Sequence, residues 1–525
     1  MALTLEQAAG QQFLLSFEGR EAPPKEFLEI LRRQHVAGVI LFRHKNMGSL
    51  SDLRRLTSDL QKAAADSSQP PLLIAADQEG GQLMAVGQAT PFPGNMALGA
   101  TGSEKLTYKV AQATGRELSA LGINVDFAPV CDVNSNPRNP VIGTRSFGED
   151  PKLVARLSAA FIGGLQNSGV AATAKHFPGH GDTSSDSHHA APVLKHSRGR
   201  IRSIELVPFR AAVNRKVKLM MPAHIVMPAF NDGSDHLPAT LSSEILQSLL
   251  RKKMKFKGVI VSDALDMHAM EQGPGYVAEA LAAVAAGIDL LLFNHELARV
   301  EPAWANLVQA ARRGLLSGGA VQASAQRILS LKNWLQRQSQ YEMDVIGCEE
   351  HLRLAREVAR KSVTLVRDAS GQVPIRVSLD QKIAVVMPRP DDLTPADTSS
   401  YVKPVLADAI KKYHAQVREF STTLNPSSSE IDHLCAELKA YGLVIVGTIN
   451  ATAHPGQAEL VKKLIKQGTR LIAAALRLPY DLTVYPQVRT YICTYSILPP
   501  SMEALADALF GRIRFAGHLP VTLPS

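Results

Sequence analysis

A chain of 525 residues, 45% hydrophobic and 20% charged, is too long for one ordinary core and too apolar to be disordered. Its net charge of +9 is diffuse, with no basic–aromatic interleaving, so no nucleic-acid partner is expected. Cys131, Cys348, Cys435 and Cys493 stand far apart without a CxxC pair, which excludes a zinc ribbon and gives no sign of a disulfide scaffold.

No stretch reaches the roughly 20 apolar residues of a membrane span. The opening Met1-Ala-Leu-Thr-Leu-Glu-Gln lacks the basic and apolar regions of a signal peptide, and a cytoplasmic location is expected.

Up to Phe293 the chain repeats one theme, a short apolar run followed by a longer segment of helical period. The candidate strands are Phe13 to Phe17, Val39 to Phe42, Leu72 to Ala76, Asn124 to Ala128, Ala171 to Ala174, Leu219 to Met221, Val259 to Ser262 and Ile288 to Phe293. Segments such as Ser103 to Leu121 and Gly275 to Ala286 have the period and length of helices. Eight such βα units predict a (β/α)8 TIM-type barrel over residues 1–337, the alternative being an open doubly wound sheet. The basic run Arg251-Lys-Lys-Met-Lys-Phe-Lys257 reads as a solvated helix end.

Val300 to Arg337 is helical in pattern, and the polar Gln338-Ser-Gln-Tyr-Glu-Met-Asp344 marks a linker over 338–350. Residues 351–525 read as a second α/β domain. Its strands are expected at Val363 to Val366, Ile383 to Val386, Leu443 to Val446, Leu471 to Ala475 and Thr490 to Tyr495. It holds no comparable cluster of titratable groups and reads as structural or accessory.

Barrel active sites lie at the carboxyl ends of the strands. Asp77-Gln-Glu-Gly-Gly81, Cys131-Asp-Val-Asn134, Lys175-His176, His224 and Asp263 all follow strand candidates at that end. The densest stretch is Ala174-Lys-His-Phe-Pro-Gly-His-Gly-Asp-Thr-Ser-Ser-Asp-Ser-His-His189, where Pro178, Gly179 and Gly181 force a loop carrying four histidines and two aspartates. Asp186 stands two residues before His188. It is placed to accept a hydrogen bond from one imidazole nitrogen and leave the other for proton transfer. Asp263, at the end of a buried strand, is either a helix cap or a nucleophile. Asp266 is expected on the following helix. A zinc or iron site is a competing reading of the histidines, but Pro178 and Gly179 rule out the helical geometry of HExxH between His176 and His180.

The run Lys175-His-Phe-Pro-Gly-His-Gly-Asp-Thr-x-x-Asp-Ser-His188 resembles the signature of the family 3 glycoside hydrolases, in particular their bacterial β-N-acetylhexosaminidase branch. The resemblance extends to Gly38-Val-Ile-Leu-Phe42, Asp77-Gln-Glu-Gly-Gly81, Pro93-Gly-Asn-Met96, Asn124-Val-Asp-Phe-Ala-Pro-Val130, Asn139-Pro-Val-Ile-Gly-Thr-Arg-Ser-Phe-Gly148, Met221-Pro-Ala-His224 and Val261-Ser-Asp-Ala-Leu-Asp-Met267. It spans residues 8–335, and the remainder resembles the α/β-sandwich domain of two-domain members.

That resemblance implies a retaining exo-β-N-acetylglucosaminidase acting on GlcNAc-containing muropeptides or related glycosides. Asp263 would be the nucleophile, and His188 oriented by Asp186 the acid/base. Asp77, Arg145, Lys175 and His176 would hold the sugar. No metal and no cofactor is implied, and a monomer is expected. Gln82 and Ala85 stand where the family usually carries arginine, which leaves the sugar recognised open. The alternatives are a phosphorylase, a β-glycosidase of altered sugar specificity, and a non-catalytic sugar-binding protein.

Overall fold

The computed structural model describes residues 3–185, 191–231, 236–270, 272–294 and 297–524. Among the described residues ten strands precede residue 300. They are β1 (Phe13–Leu15), β2 (Gly38–Ile40), β3 (Leu73–Ala76), β4 (Gln78–Gly80), β5 (Leu83–Met84), β6 (Val125–Asp126), β7 (Ala171–Phe177), β8 (Leu219–Pro222), β9 (Val259–Ala264) and β10 (Leu290–Phe293). All but β4 and β5 close a parallel barrel in the order β1-β10-β9-β8-β7-β6-β3-β2. β4 and β5 form a small antiparallel hairpin inserted directly after β3. The open-sheet alternative is thereby excluded.

Short apolar runs buried on both faces suit such strands. Alternate residues serve two cores. Leu14, Ile40, Ala75, Val125, Leu219, Val261 and Leu292 fill the barrel, while Phe13, Leu15, Val39, Ile74, Met220 and Ile260 face the surrounding helices. Those helices begin where capping chemistry allows. Ser103 caps Glu104–Ala120, and Asp150 caps Pro151–Asn167 with proline in its first turn. The expected run from Val300 to Arg337 is two helices, Val300–Arg312 and Gly318–Leu335. They are broken at Gly314 and restarted by the Ser317 cap. Ile328 and Leu331 of the second helix join the inner barrel core.

The second unit is a six-stranded sheet of β11 (Thr364–Asp368), β12 (Ile383–Pro388), β13 (Val417–Thr422), β14 (Leu443–Thr448), β15 (Leu471–Ala475) and β16 (Thr490–Cys493), ordered β11-β16-β15-β14-β12-β13. Only β11 runs antiparallel, against β16. All five expected strands are present. β13 was not expected, because an edge strand reading Val-Arg-Glu-Phe-Ser-Thr is half exposed and lacks a continuous apolar run. Helices cover both faces of the sheet, giving an α/β sandwich. Met96, Ala97 and Ala100, on the barrel helix Asn95–Thr101, are buried in this second core.

Candidate active site

The carboxyl ends of the barrel strands carry a cavity of about 240 Å3, walled by Asp77, Arg145, Lys175, His176, His180 and Asp263. All five described residues singled out from the sequence as nucleophile or sugar ligands therefore share one space. Asp186 and His188 lie outside the described residues.

β7 runs on to Phe177, so Lys175 and His176 are strand residues rather than the start of a loop. Lys175 Nζ pairs with Asp77 Oδ1 at 2.6 Å and with Glu79 Oε1 at 2.7 Å. Glu79 also takes a bidentate pair from Arg145, 2.9 Å from Nε and 2.8 Å from NH2. Its side chain is 1% exposed against 20% for Asp77. Glu79 is thus the buried counter-ion, and Asp77 the carboxylate that faces the cavity. Burial alone would raise the Glu79 carboxyl, but the charges of Arg145 and Lys175 outweigh it and hold it at about 2. Burial likewise opposes the charge of Lys175, yet Asp77 and Glu79 raise its ammonium above the usual lysine range.

The hairpin that delivers Glu79 turns on glycine. Gly81 adopts φ +64, and a Cβ there would stand 2.9 Å from the Pro93 carbonyl and 3.1 Å from Gly94 Cα. The Asp77-Gln-Glu-Gly-Gly81 and Pro93-Gly-Asn-Met96 motifs are therefore two sides of one backbone contact.

His176 is oriented by a carboxylate. Its Nδ1 lies 2.8 Å from Asp132 Oδ2, while the His180 backbone N–H donates to Asp132 Oδ1 at 2.7 Å. The Cys131 N–H donates to the Lys175 carbonyl at 2.6 Å, which lays Asp132 alongside β7. Burial opposes ionisation of Asp132, but His176 and His180 keep its carboxyl below the usual range. His176 Nε2 faces Arg145 NH2 at 3.5 Å. Burial and the neighbouring His176 push His180 down to about 4, and its Nδ1 lies 2.7 Å from Thr183 Oγ1. Asn139 joins the two sides, donating to the His180 carbonyl at 2.9 Å and accepting from the Val141 and Ile142 N–H groups ahead of Arg145.

Asp263 is the penultimate residue of β9, half-buried, with Oδ1 accepting the Ala264 N–H at 2.9 Å. Asp266 is not on a helix. It sits in a turn, lines the same cavity, and accepts the Asn294 N–H at 2.9 Å. His224 is fully buried, with Nδ1 2.8 Å from Thr240 Oγ1 and Nε2 2.9 Å from the Ala264 carbonyl, and so supports the end of β9. Asp182 is turned to His196, 2.7 Å away, and to Arg200 at 3.2 Å.

Two charged residues of this network, Glu79 and Asp132, were not singled out from the sequence as site residues. Both stand in strand-end motifs, and a carboxylate at such an end was the available signal. The second unit's contribution had no such signal. Its residues 395–398 line the cavity beside Leu83 and Ala85. Arg477, after β15, ion-pairs with Asp397 at 2.7 Å and donates to Gln82 Oε1, which also accepts from Thr144 Oγ1 at 2.7 Å. The Gln82 carbonyl accepts from the Thr398 N–H at 2.8 Å. A guanidinium of the second unit thus pairs with Gln82, and the unit read from the sequence as structural or accessory also walls the cavity through residues 395–398.

Residues 4–331 match the family model for the N-terminal domain of glycosyl hydrolase family 3. The chain is 32% identical to beta-hexosaminidase A of Pseudoalteromonas piscicida, over 99% of this chain and 97% of that one. It is also 32% identical to a beta-N-acetylglucosaminidase/beta-glucosidase of Cellulomonas fimi, over 94% and 90% of the two chains. The solved structure of a family 3 beta-N-acetylglucosaminidase from Paenibacillus sp. strain FPU-7 superposes with TM-score 0.94 at 38% identity, covering 99% of each chain. With its closed barrel, its sheet unit and its strand-end cavity, this chain belongs to glycosyl hydrolase family 3.

Proposed function

We propose that this glycoside hydrolase is a retaining exo-β-N-acetylglucosaminidase that releases terminal GlcNAc from peptidoglycan-derived muropeptides or related glycosides. The observation that carries the reading is the convergence of Asp263 with Asp77, Arg145, Lys175 and His176 on one cavity. At about 240 Å3 it lies below the roughly 300–1,000 Å3 of most ligand sites, which favours one terminal ring over a length of chain. The activities named for the Paenibacillus and Pseudoalteromonas proteins support the sugar.

Asp263 attacks the anomeric carbon as the glycosidic C–O bond breaks, and His188 donates its proton to the departing oxygen. The second step returns the electrons. His188, now neutral, takes a proton from water, whose oxygen displaces Asp263 and restores the configuration. An imidazole titrates near ambient pH, which suits a group that is acid and then base. Asp186 orients it. Lys175, Arg145 and Asp77 supply charged partners to sugar hydroxyls that lose water on entering the cavity.

The test is a panel of aryl glycosides differing at the 2-position. The N-acetyl-β-glucosaminide is expected to turn over fastest, with no sugar 1-phosphate formed when phosphate is added. Faster turnover of the plain β-glucoside would overturn the sugar assignment, and a sugar 1-phosphate the hydrolytic one. Asp263→Ala is expected to stop turnover of every aryl leaving group. His188→Ala is expected to slow poor leaving groups by about 10²–10⁴-fold and good ones far less in the first step. Indifference to the leaving group would remove His188 as the acid.

A further inference from the structure

The turns that enter the barrel strands lie at the end opposite the active site. In most of them one residue adopts a left-handed backbone, and in three that residue is glycine, at positions 122, 169 and 287. In two consecutive turns it is lysine. Lys216, at φ +58, follows the helix Leu206–Asn214, and Lys255, at φ +59, follows the π-wound helix Glu244–Lys253. A long side chain is disfavoured in that conformation. Each turn then repeats the same pattern, Lys216-Val-Lys218 and Lys255-Phe-Lys257, with Val217 and Phe256 buried. A lysine past a helix C-terminus offsets the helix dipole. That accounts for one charge per turn, but not for the second lysine two residues on.

All four lysines line one cavity of about 430 Å3, together with Trp334. Lys218 Nζ sits 4.3 Å from the centre of the Trp334 ring. Both turns are held from behind. Gln166 donates to the Lys216 carbonyl at 3.3 Å and accepts the Lys218 N–H at 2.9 Å. Arg251 donates to the Phe256 and Gly258 carbonyls at 3.2 and 2.6 Å. A nearby carboxylate is already taken. Asp289 pairs with Arg251 and with Arg327, which itself lines the cavity. Among the described residues the four lysines form no ion pair. Burial, and secondarily the Lys216 charge, lower the Lys218 ammonium below the usual lysine range.

We infer that this cavity is an anion-binding site for oligophosphate groups, in which Lys216, Lys218, Lys255 and Lys257 hold the charge against the indole of Trp334. Closely spaced phosphates match four ammonium groups on two pre-set turns, and Lys serves as a point-charge phosphate ligand. The source is either a free diphosphate or a phosphate polymer.

Trp304 and Trp334 are the chain's only two tryptophans, so Trp304→Phe leaves Trp334 as the sole indole reporter. Titration of that variant with inorganic pyrophosphate, and separately with long-chain polyphosphate, is expected to change the fluorescence saturably at constant ionic strength. Calorimetry on the unmodified chain is expected to give the same affinity, which keeps the test independent of the reporter variant. Lys218→Met with Lys257→Met is expected to weaken binding more than tenfold while aryl-glycoside turnover is unchanged. Saturation with both probes identifies a site for small phosphates, and saturation with polyphosphate alone identifies a polymer site. No saturable binding of either, equal affinity in the lysine variant, or the same response to chloride at matched ionic strength would each overturn the assignment.

Discussion

Glu79 makes no claim on the substrate, yet the site's charge rests on it. It is the shared partner of Arg145 and Lys175, and replacing one partner of a buried pair leaves the others uncompensated. Glu79→Gln is expected to cost about 3–5 kcal/mol in a denaturant melt and to lower kcat/KM at least tenfold. The pH dependence has a definite sign. Glu79 falls from 4.5 to about 2 on folding, so its contribution is full above pH 4.5 and is lost as the pH falls through 2. In acid melts the wild type is therefore expected to lose its advantage over Glu79→Gln across that window. Lys332 behaves oppositely. Burial pushes its ammonium from 10.5 down to about 7, with Gln11 Oε1 at 2.7 Å as its partner. The unfolded chain binds that proton more tightly, so this lysine destabilises the fold below pH 7 and is relieved as pH rises towards 10.5. Lys332→Met is expected to raise Tm by a few degrees at neutral pH, with the gain shrinking towards pH 10 in parallel thermal scans.

Among the elements, the β4–β5 hairpin joins the two units. Its first strand carries Glu79 to the cations, and Gln82 in its turn receives Arg477 from the second unit. Asp397 and Arg477 are both buried, at 5% and 4% exposure, and Asp397 also accepts the Ser399 N–H at 2.9 Å. Arg477→Met leaves Asp397 charged without its partner and frees the hairpin turn. Destabilisation of about 3–5 kcal/mol is expected, with KM rising more than kcat falls, because the hairpin positions the groups that bind sugar. Gln82→Arg would set a guanidinium against Arg477, and a steady-state comparison is expected to show the same rise in KM.

For the whole molecule, the two units share an apolar core in addition to their polar contacts. Met96, Ala97 and Ala100 on a barrel helix lie among Leu478, Tyr480 and Tyr485 of the second unit, and Asn134 Nδ2 donates to the Tyr480 hydroxyl at 3.0 Å. A barrel cut at residue 345 exposes that helix face and removes the 395–398 rim of the cavity. It is expected to aggregate or melt well below the full chain, and any soluble fraction to show strongly reduced kcat/KM. A fragment with full activity would show that the second unit supports only stability.

The amino-acid sequence by itself determined the eight strands, their shared end and the residues there, because strand period and the residue types of a strand-end site are local properties. Asp77, Lys175, His176 and Asp263 were legible in this way as strand-end residues, whereas Arg145, in the short helix Gly143–Arg145, and the sugar-holding roles came only from the resemblance to family 3. Only the tertiary structure decided which carboxylate is the buried counter-ion, that Asp266 lies in a turn, and that Arg477 reaches Gln82 across a separation of 395 residues. The edge strand β13 was likewise hidden, since its register comes from β12 rather than from its own apolar period. Counter-ions, latches and edge strands depend on what packs opposite them, and a linear pattern carries no record of that.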